Sequence, residues 1–274
     1  MPQTPTRRRK RDIIFREMGP QRDGTSWKAE SRTAGVGRGI ASELAHAGAR
    51  VFVTGRSVQD GERDDSRINE IRCDHREDEQ VAAALARVAQ EAGAIDILGN
   101  NIWGGYERMM EDGVFTWSKP FWEQPLWRWD AMFDAGVRAH YYASRLAARF
   151  MVGHRRELIV SISFWSAQKH IGNVAYGVSN AATDKMTADM ATELRSHGVT
   201  VVSLYPGLVR TEKVMQAAGR LDLSNSESPE FIGRAVTALA ADSDVMRHTG
   251  GGGWRLVWRL SMASETLTPG FHAH

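Results

Sequence analysis

The feature that most constrains this chain is a series of short runs that are apolar without alternation, separated by stretches of helical periodicity. The runs are Val51-Phe52-Val53, Ile95 with Ile97 and Leu98, residues 158–162, and residues 199–204. A strand with one wet face alternates apolar and polar residues, whereas an unbroken apolar run is buried on both faces. Between the runs, Ile40, Leu44 and Ala45 recur at helix spacing before Gly48, and Val81, Leu85, Val88 and Ala89 recur before Gly93. Further helices are expected over roughly 125–152 and 175–197. Ser228-Pro229 opens another, a hydroxyl N-cap followed by proline in the first turn, and it should end near Asp242. Parallel strands need long crossovers, and these helices supply them. The expectation is an α/β chain: a doubly wound, mostly parallel sheet (Rossmann fold) in a single domain, with a poorly patterned first strand and C-terminus.

The ends break the pattern. Residues 1–30 form an atypical basic N-terminal segment carrying Arg7, Arg8, Arg9, Lys10 and Arg11, with Ile13, Ile14 and Phe15 as its one apolar cluster. A solvated tail is expected there. The Rossmann domain is placed at 31–260 and a C-terminal tail at 261–274. No run reaches the ~18–20 apolar residues of a membrane span, and the N-terminus lacks the apolar stretch of a secretory signal. Net charge is +2, from 35 basic and 33 acidic side chains, so no field argues for nucleic acid. The single cysteine, Cys73, excludes an internal disulfide framework and fits a reducing, cytoplasmic setting. His140, His154 and His170 lack ligand spacing, and no metal is expected.

Gly35-Val36-Gly37-Arg38-Gly39 opens a helix. Glycines at such a turn let backbone approach a pyrophosphate, whose charge the helix N-terminus stabilises. After the second strand, a carboxylate would bind the ribose hydroxyls of NAD. This chain has Gly55-Arg56 there, and Arg56 can pair with a 2′-phosphate, which favours NADP with NAD still possible.

Taken in order, Gly35-Val-Gly37, Cys73-Asp74, Asn100-Asn101, Ser163, Tyr176-Gly-Val-Ser and Pro206-Gly207-Leu-Val-Arg-Thr211 resemble the short-chain dehydrogenase/reductase family over about residues 35–250. Trp103-Gly-Gly-Tyr106 and Phe121-Trp-Glu-Gln-Pro125 look closest to its dehydrogenase/reductase member 1-like branch. The resemblance implies a nicotinamide cofactor and an oxidoreductase acting on a small carbonyl or alcohol. It places Gly35 and Gly37 at the pyrophosphate, Asp74 near the adenine, Asn100 beside the cofactor, and Val209 and Thr211 at the carboxamide. Ser163 lies 13 residues before Tyr176, the family spacing of its substrate-orienting serine and catalytic tyrosine. Hydride addition leaves an alkoxide that Tyr176 would protonate while Ser163 holds the same oxygen.

Four residues after Tyr176 the family has a lysine whose charge lowers the phenol pKa; here stands Asn180. Lys185, nine residues beyond Tyr176, should lie on the opposite helix face. Ser31 replaces the first loop glycine, and the first strand, sought at roughly 22–29, reads poorly. Residues 250–259 likewise lack the apolar final strand, Gly99 replaces a valine, and Gly136 stands at an asparagine position. Two readings fit the ends: a reading-frame shift around a sound middle, or a chain that has lost its catalytic role. A frame shift does not explain Asn180, whose flanking residues stay in register; it is a single sequencing difference or a real substitution, and with Ser31 it supports the alternative of a non-catalytic nucleotide-binding or interaction protein on the same scaffold.

Five of nine tryptophans lie between residues 103 and 129. Trp103 and Trp165, following strand ends, are the candidate substrate walls, while Trp127 and Trp129 are expected to anchor the next helix in the core. The helices over 125–152 and 175–197 resemble the family's assembly elements. Ala143, Ala147, Ala148, Ala181, Ala182 and Ala188 give them small faces, so a homo-oligomer is expected.

Overall fold

The computed structural model describes residues 12–16, 35–58, 60–62, 67–154, 157–216 and 222–253. Strand β1 (Asp12–Arg16) is followed by helix α1 (Val36–His46), β2 (Arg50–Gly55), β3 (Gly61–Glu62), β4 (Ile68–Arg72) and α2 (Asp78–Ala92). Next come β5 (Ile97–Asn100), a small hairpin of β6 (Met110–Glu111) and β7 (Val114–Phe115), α3 (Leu126–Met132) and α4 (Ala139–Met151). The second half holds β8 (Leu158–Ile162), α5 (Val174–Leu194), β9 (Thr200–Leu204), β10 (Leu208–Val209), α6 (Glu212–Gln216), β11 (Ser226–Glu227) and α7 (Pro229–Ala241).

The main sheet runs β3-β4-β2-β1-β5-β8-β9. Its pairings are parallel except the short edge contact of β3 with β4. The unbroken apolar runs divide between two cores, as a period of two requires. Val51 and Val53 of β2, Ile97 of β5, Leu158 and Val160 of β8 and Val202 of β9 join α1 and α7 on one face. Phe52, Leu98, Ile159 and Val201 join α2, α4 and α5 on the other. Each strand is therefore buried on both sides, which is why it carries no polar alternation.

The first strand is not where the pattern placed it. The position between β2 and β5 belongs to Asp12–Arg16, with Ile13 opposite Val51 on one side and Ile97 on the other. The apolar cluster read as part of a solvated tail is thus in the sheet. Residues 22–29, Ser31 and 254–259 lie outside the described residues. The helix expected over 125–152 is two α-helices joined by a π-helical segment, Phe133–Arg138. β4 was not anticipated, because Ile68-Asn-Glu-Ile-Arg72 is neither a continuous apolar run nor an alternating one and sits near the sheet edge.

Candidate active site

Sheet topology gathers the site. All parallel strands end on the same edge, so Gly55 at the end of β2 with Arg56 after it, Cys73-Asp74 after β4, Asn100 at the end of β5, Ser163 after β8 and Tyr205-Pro206-Gly207 after β9 share it. In open α/β sheets the carboxyl edge is where ligands bind.

Helix α5 brings Tyr176 and Asn180 to that edge. Asn173 caps it, its side-chain oxygen accepting from the Tyr176 N–H at 3.0 Å, while its amide donates to the Trp117 carbonyl at 3.1 Å. Tyr176 and Asn180 are one turn apart. The Asn180 amide donates to the Tyr176 carbonyl at 2.9 Å, and the Ser163 hydroxyl lies 3.3 Å from the Asn180 carbonyl and 3.4 Å from its Oδ1. Asn180 therefore bridges the two residues expected to act on substrate. The Ser163 N–H donates to the Leu204 carbonyl at 2.9 Å, so the serine continues the β8–β9 ladder and is rigidly placed. Lys185 is exposed and paired with Asp189 at 2.5 Å, away from the site.

Tyr176 is only 8 % exposed. Four rings surround it: Trp103 edge-on at 5.8 Å, Tyr106 at 6.0 Å, Trp117 at 5.3 Å and Phe164 at 5.7 Å between centroids. Burial pushes the Tyr176 phenol up to about 12, against the pull of hydrogen bonds from Tyr106 and Asn180. With no cation beside it among the described residues, the phenol is held above its ordinary value. Trp103 rests on Gly136, where an added Cβ would lie 3.1 Å from the indole. A side chain at Gly136 would displace that wall. Trp165 is not in the cage; it stands edge-on to Tyr205 at 6.4 Å, with the Lys169 ammonium 5.4 Å from its ring. Trp127 donates to Glu111 at 2.8 Å, whereas Trp129 is 42 % exposed and stacked on Phe133, so it is not a core anchor.

Three groups at this edge were not anticipated. Asp184, one further turn along α5 from Asn180, accepts from the Tyr205 hydroxyl. Burial raises its carboxyl, while Tyr205, Ser163 and Ser203 favour the charged form. Its spacing of four from Asn180 and eight from Tyr176 was the available signal. Glu227 accepts from the Gly207 N–H at 3.0 Å and is raised by burial. The buried Arg128 donates to the Arg108 carbonyl at 3.0 Å and the Thr116 hydroxyl at 2.8 Å, clamping the aromatic loop.

Where the sequence places the nucleotide, Gly35 is the N-cap of α1; among the described residues no side chain caps that end, and a Cβ on Gly35 would meet none of them within 4 Å. Gly37 is buried in the first turn. Arg56 is partly exposed, and its charge helps hold the Asp74 carboxyl low. Burial alone would raise Asp74, but Arg76 outweighs it with a 2.7 Å ion pair. Asp74 thus shares its carboxylate with Arg76. Asn100 is fully buried and donates to Ser144 at 2.9 Å, tying β5 to α4; its Oδ1 has no partner among the described residues. Val209 is buried in β10, and Thr211, its N–H 2.7 Å from the Val209 carbonyl, leads into α6.

A family model described as short chain dehydrogenase matches residues 31–221. The chain belongs to the short-chain dehydrogenase/reductase family. Among curated members of the family, it is 38 % identical over 237 residues to dehydrogenase/reductase SDR family member 1 of Mus musculus, covering 79 % of this chain and 74 % of that one. It is 30 % identical over 231 residues to the short-chain reductase protein NovJ of Streptomyces niveus, covering 77 % and 83 %. A ligand-free aldohexose dehydrogenase of Thermoplasma acidophilum shares the fold, with a TM-score of 0.67 at 22 % identity over 97 % of this chain and 98 % of that one. Within this short-chain dehydrogenase/reductase, Ser163, Tyr176, Asn180 and Trp103 form one cluster, while Trp165 belongs to the Tyr205–Asp184 side. Among the described residues, no helix is long and apolar enough to cross a membrane, and no group of three or more His, Cys, Asp or Glu could hold a metal.

Proposed function

We propose that this chain transfers hydride between NADP(H) and a small carbonyl or alcohol substrate, with Tyr176 as acid/base and Ser163 orienting the reacting oxygen. The observation that carries this reading is the placement of Ser163 and Tyr176 together at the carboxyl edge of the sheet, with the Asn180 side chain on the Ser163 hydroxyl and the Tyr176 backbone carbonyl. The open, uncapped start of α1 at Gly35 fits a pyrophosphate, and Arg56 fits a 2′-phosphate. When bound, the nicotinamide supplies or accepts the hydride. The chain's own residues do the rest: Ser163 holds the substrate oxygen, Tyr176 gives or takes its proton, and the aromatic rings exclude water. Tyr176→Phe should therefore abolish turnover and leave NADPH binding intact.

The cofactor preference is tested at Arg56. Arg56→Ala should weaken NADPH by on the order of 1.5–3 kcal/mol, the range of a charged hydrogen bond, and leave NADH almost unchanged. Equal losses in calorimetric titrations with both cofactors would remove Arg56 from the 2′-phosphate site.

The uncharged Asn180 favours a second reading, a non-catalytic nucleotide-binding protein on the same scaffold. NADPH binding without turnover on any carbonyl, unaffected by Tyr176→Phe, would support it.

A homo-oligomer in the cytoplasm completes the proposal, with one change. Ala143 and Ala147 are buried inside the chain against α2 and the sheet, so they are not free to face a partner. Tyr141 and Phe150 on α4 and Val174 and Val178 on α5 are exposed instead. Light scattering at micromolar concentration should give at least twice the 30.5 kDa chain mass, and a monomer mass would refute assembly.

A further inference from the structure

Asn173 joins the aromatic loop to the helix that carries Tyr176. It is only 2 % exposed and lies three residues before Tyr176. Its Oδ1 accepts from the Tyr176 N–H at 3.0 Å, and its Nδ2 donates to the Trp117 carbonyl at 3.1 Å. Both partners are backbone groups of fixed role, one a donor and one an acceptor, so the amide has a single orientation. A carboxylate at 173 would keep the first bond and lack the proton for the second. A serine would keep the first and fall short of the carbonyl. The Trp117 carbonyl also accepts from the Gln124 amide at 3.0 Å, and the same nitrogen lies 3.0 Å from the Thr116 carbonyl and 2.7 Å from that of Lys119. Residues 116–119 are thus gathered on Gln124 and fastened to α5 at Asn173. The ring of Trp117 is placed by this anchor. Its centroid is 5.3 Å from that of Tyr176 at an interplanar angle of 63° and 5.4 Å from that of Tyr106, and the Arg128 guanidinium is 5.7 Å away. Trp117 is half-buried, not sealed in the core.

We propose that Asn173 is a positioning residue that sets Trp117 as a second substrate wall, beside Trp103 in the cage around Tyr176, and that this wall takes flat apolar carbonyls such as aryl ketones. This rests on Tyr176 being the acid/base. Trp165, the other tryptophan expected in that role, stands with Tyr205 instead. An N-cap by itself fixes only the start of a helix. The donor half of the Asn173 amide adds a link from helix to loop, so the indole and the phenol keep their spacing. Ring contacts depend on such spacing and angle, so an aryl substrate loses contact when the wall shifts. The chemistry is held separately. Ser163 is placed by its N–H on the Leu204 carbonyl and its hydroxyl on Asn180, and neither bond involves the loop. The two halves of one amide therefore govern different quantities. The acceptor half holds the helix turn of Tyr176 and acts on kcat; the donor half holds Trp117 and acts on KM.

The experiment uses the full chain labelled with 5-fluorotryptophan, with the fluorine resonances of Trp117, Trp127 and Trp129 assigned by single Phe substitutions. Asn173→Ser and Asn173→Asp both keep an N-cap acceptor and drop the amide donor, so melting should hold. In either variant the Trp117 resonance should move while those of Trp127 and Trp129 stay. With NADPH and an aryl ketone, KM for the ketone should rise about tenfold, the size of one lost hydrogen bond, with kcat and NADPH affinity nearly unchanged. Asn173→Ala, which loses the cap as well, should lower kcat and the melting temperature too. The serine variant keeps the test available if the buried carboxylate of Asn173→Asp prevents folding. An unmoved Trp117 resonance in Asn173→Ser, or an unchanged KM for the aryl ketone, overturns the proposal and leaves Asn173 a helix cap alone. Turnover that survives Tyr176→Phe fails the acid/base assignment instead, while the Trp117 resonance, read without substrate, still decides whether Asn173 holds the loop.

Discussion

Asn180→Lys is expected to raise NADPH-dependent carbonyl reduction by roughly 10²-fold or more at neutral pH, the lower end of what positioned acid–base catalysis contributes. The argument starts from Tyr176, whose phenol burial pushes up to about 12. An acid held that far above neutrality transfers its proton reluctantly. An opposite charge within hydrogen-bonding range typically lowers such a pKa by about 1–3 units. Position 180 is one helical turn from Tyr176, and its side chain already reaches both the Tyr176 carbonyl and Ser163. A lysine there places its ammonium between the phenol and the expected ribose. The sign follows: the cation favours the phenolate, so the basic limb of the rate profile should move to lower pH. Asn180→Lys combined with Tyr176→Phe should lose the gain, because the ammonium acts through the phenol. Removing the asparagine also removes its bond to the Tyr176 carbonyl, a cost of about 1 kcal/mol that melting will show. Steady-state NADPH consumption with several ketones and quinones measures the result. If a variant shown to bind NADPH gains nothing, Tyr176 is not the acid and the non-catalytic reading takes its place.

How much of this site could be read from residues alone depends on what kind of order each part has. The geometry along α5 was legible because it is local: the relative places of Tyr176, Asn180 and Lys185 follow from helix spacing, and the structure sets the Asn180 side chain on the Tyr176 carbonyl and pairs Lys185 with Asp189. Largely apolar runs such as residues 158–162, interrupted only at Ser161, were legible because burial on two faces removes alternation. β1 was missed for the opposite reason. Asp12-Ile-Ile-Phe-Arg16 is short and charged at both ends, and it follows a run of arginines, so the pattern around it spoke for solvent. What recruits it is pairing with β2 and β5, a long-range event with no local signature. The cage around Tyr176 was half legible. The tryptophan-rich loop stood out, but its path rests on Arg128, a charged side chain fully buried among carbonyls, which composition alone assigns to the surface. Trp129 erred the other way: a large apolar residue at helix spacing that the fold leaves outside, stacked on Phe133. The small faces of α4 were read for a partner, yet Ala143 and Ala147 are used within the chain, since periodicity names a face without naming what covers it.

Gly39→Val is expected to destabilise the fold by at least about 3 kcal/mol, the upper range of overpacking. For a domain of this size, that lowers the melting temperature by roughly 6–12 °C. The reason is the crossing of α1 and α7. A Cβ on Gly39 would lie 2.2 Å from the Pro229 carbonyl oxygen and 2.8 Å from the Glu230 nitrogen. Across the same contact, a Cβ on Gly233 would lie 2.5 Å from the Gly39 carbonyl oxygen. The two backbones touch, with a glycine on each side, and backbone cannot swing aside as a flexible side chain can. Separating the helices would open the contacts of Ile40 and Leu44 with Ile232, Val236 and Leu239 in the core they share. Valine's better helix propensity returns only a fraction of a kcal/mol. Gly35, four residues earlier on the same helix, supplies the control. A Cβ there meets none of the described residues within 4 Å, so Gly35→Ala should change stability by no more than about 0.5 kcal/mol. It does, however, fill the space at the helix N-terminus proposed for the pyrophosphate, so it should weaken NADPH binding while the melting temperature holds. The two substitutions separate the glycine that packs the fold from the glycine that admits the nucleotide. Wild-type melting for Gly39→Val would mean that α1 and α7 do not cross this closely. Wild-type NADPH affinity for Gly35→Ala would remove that residue from the phosphate site.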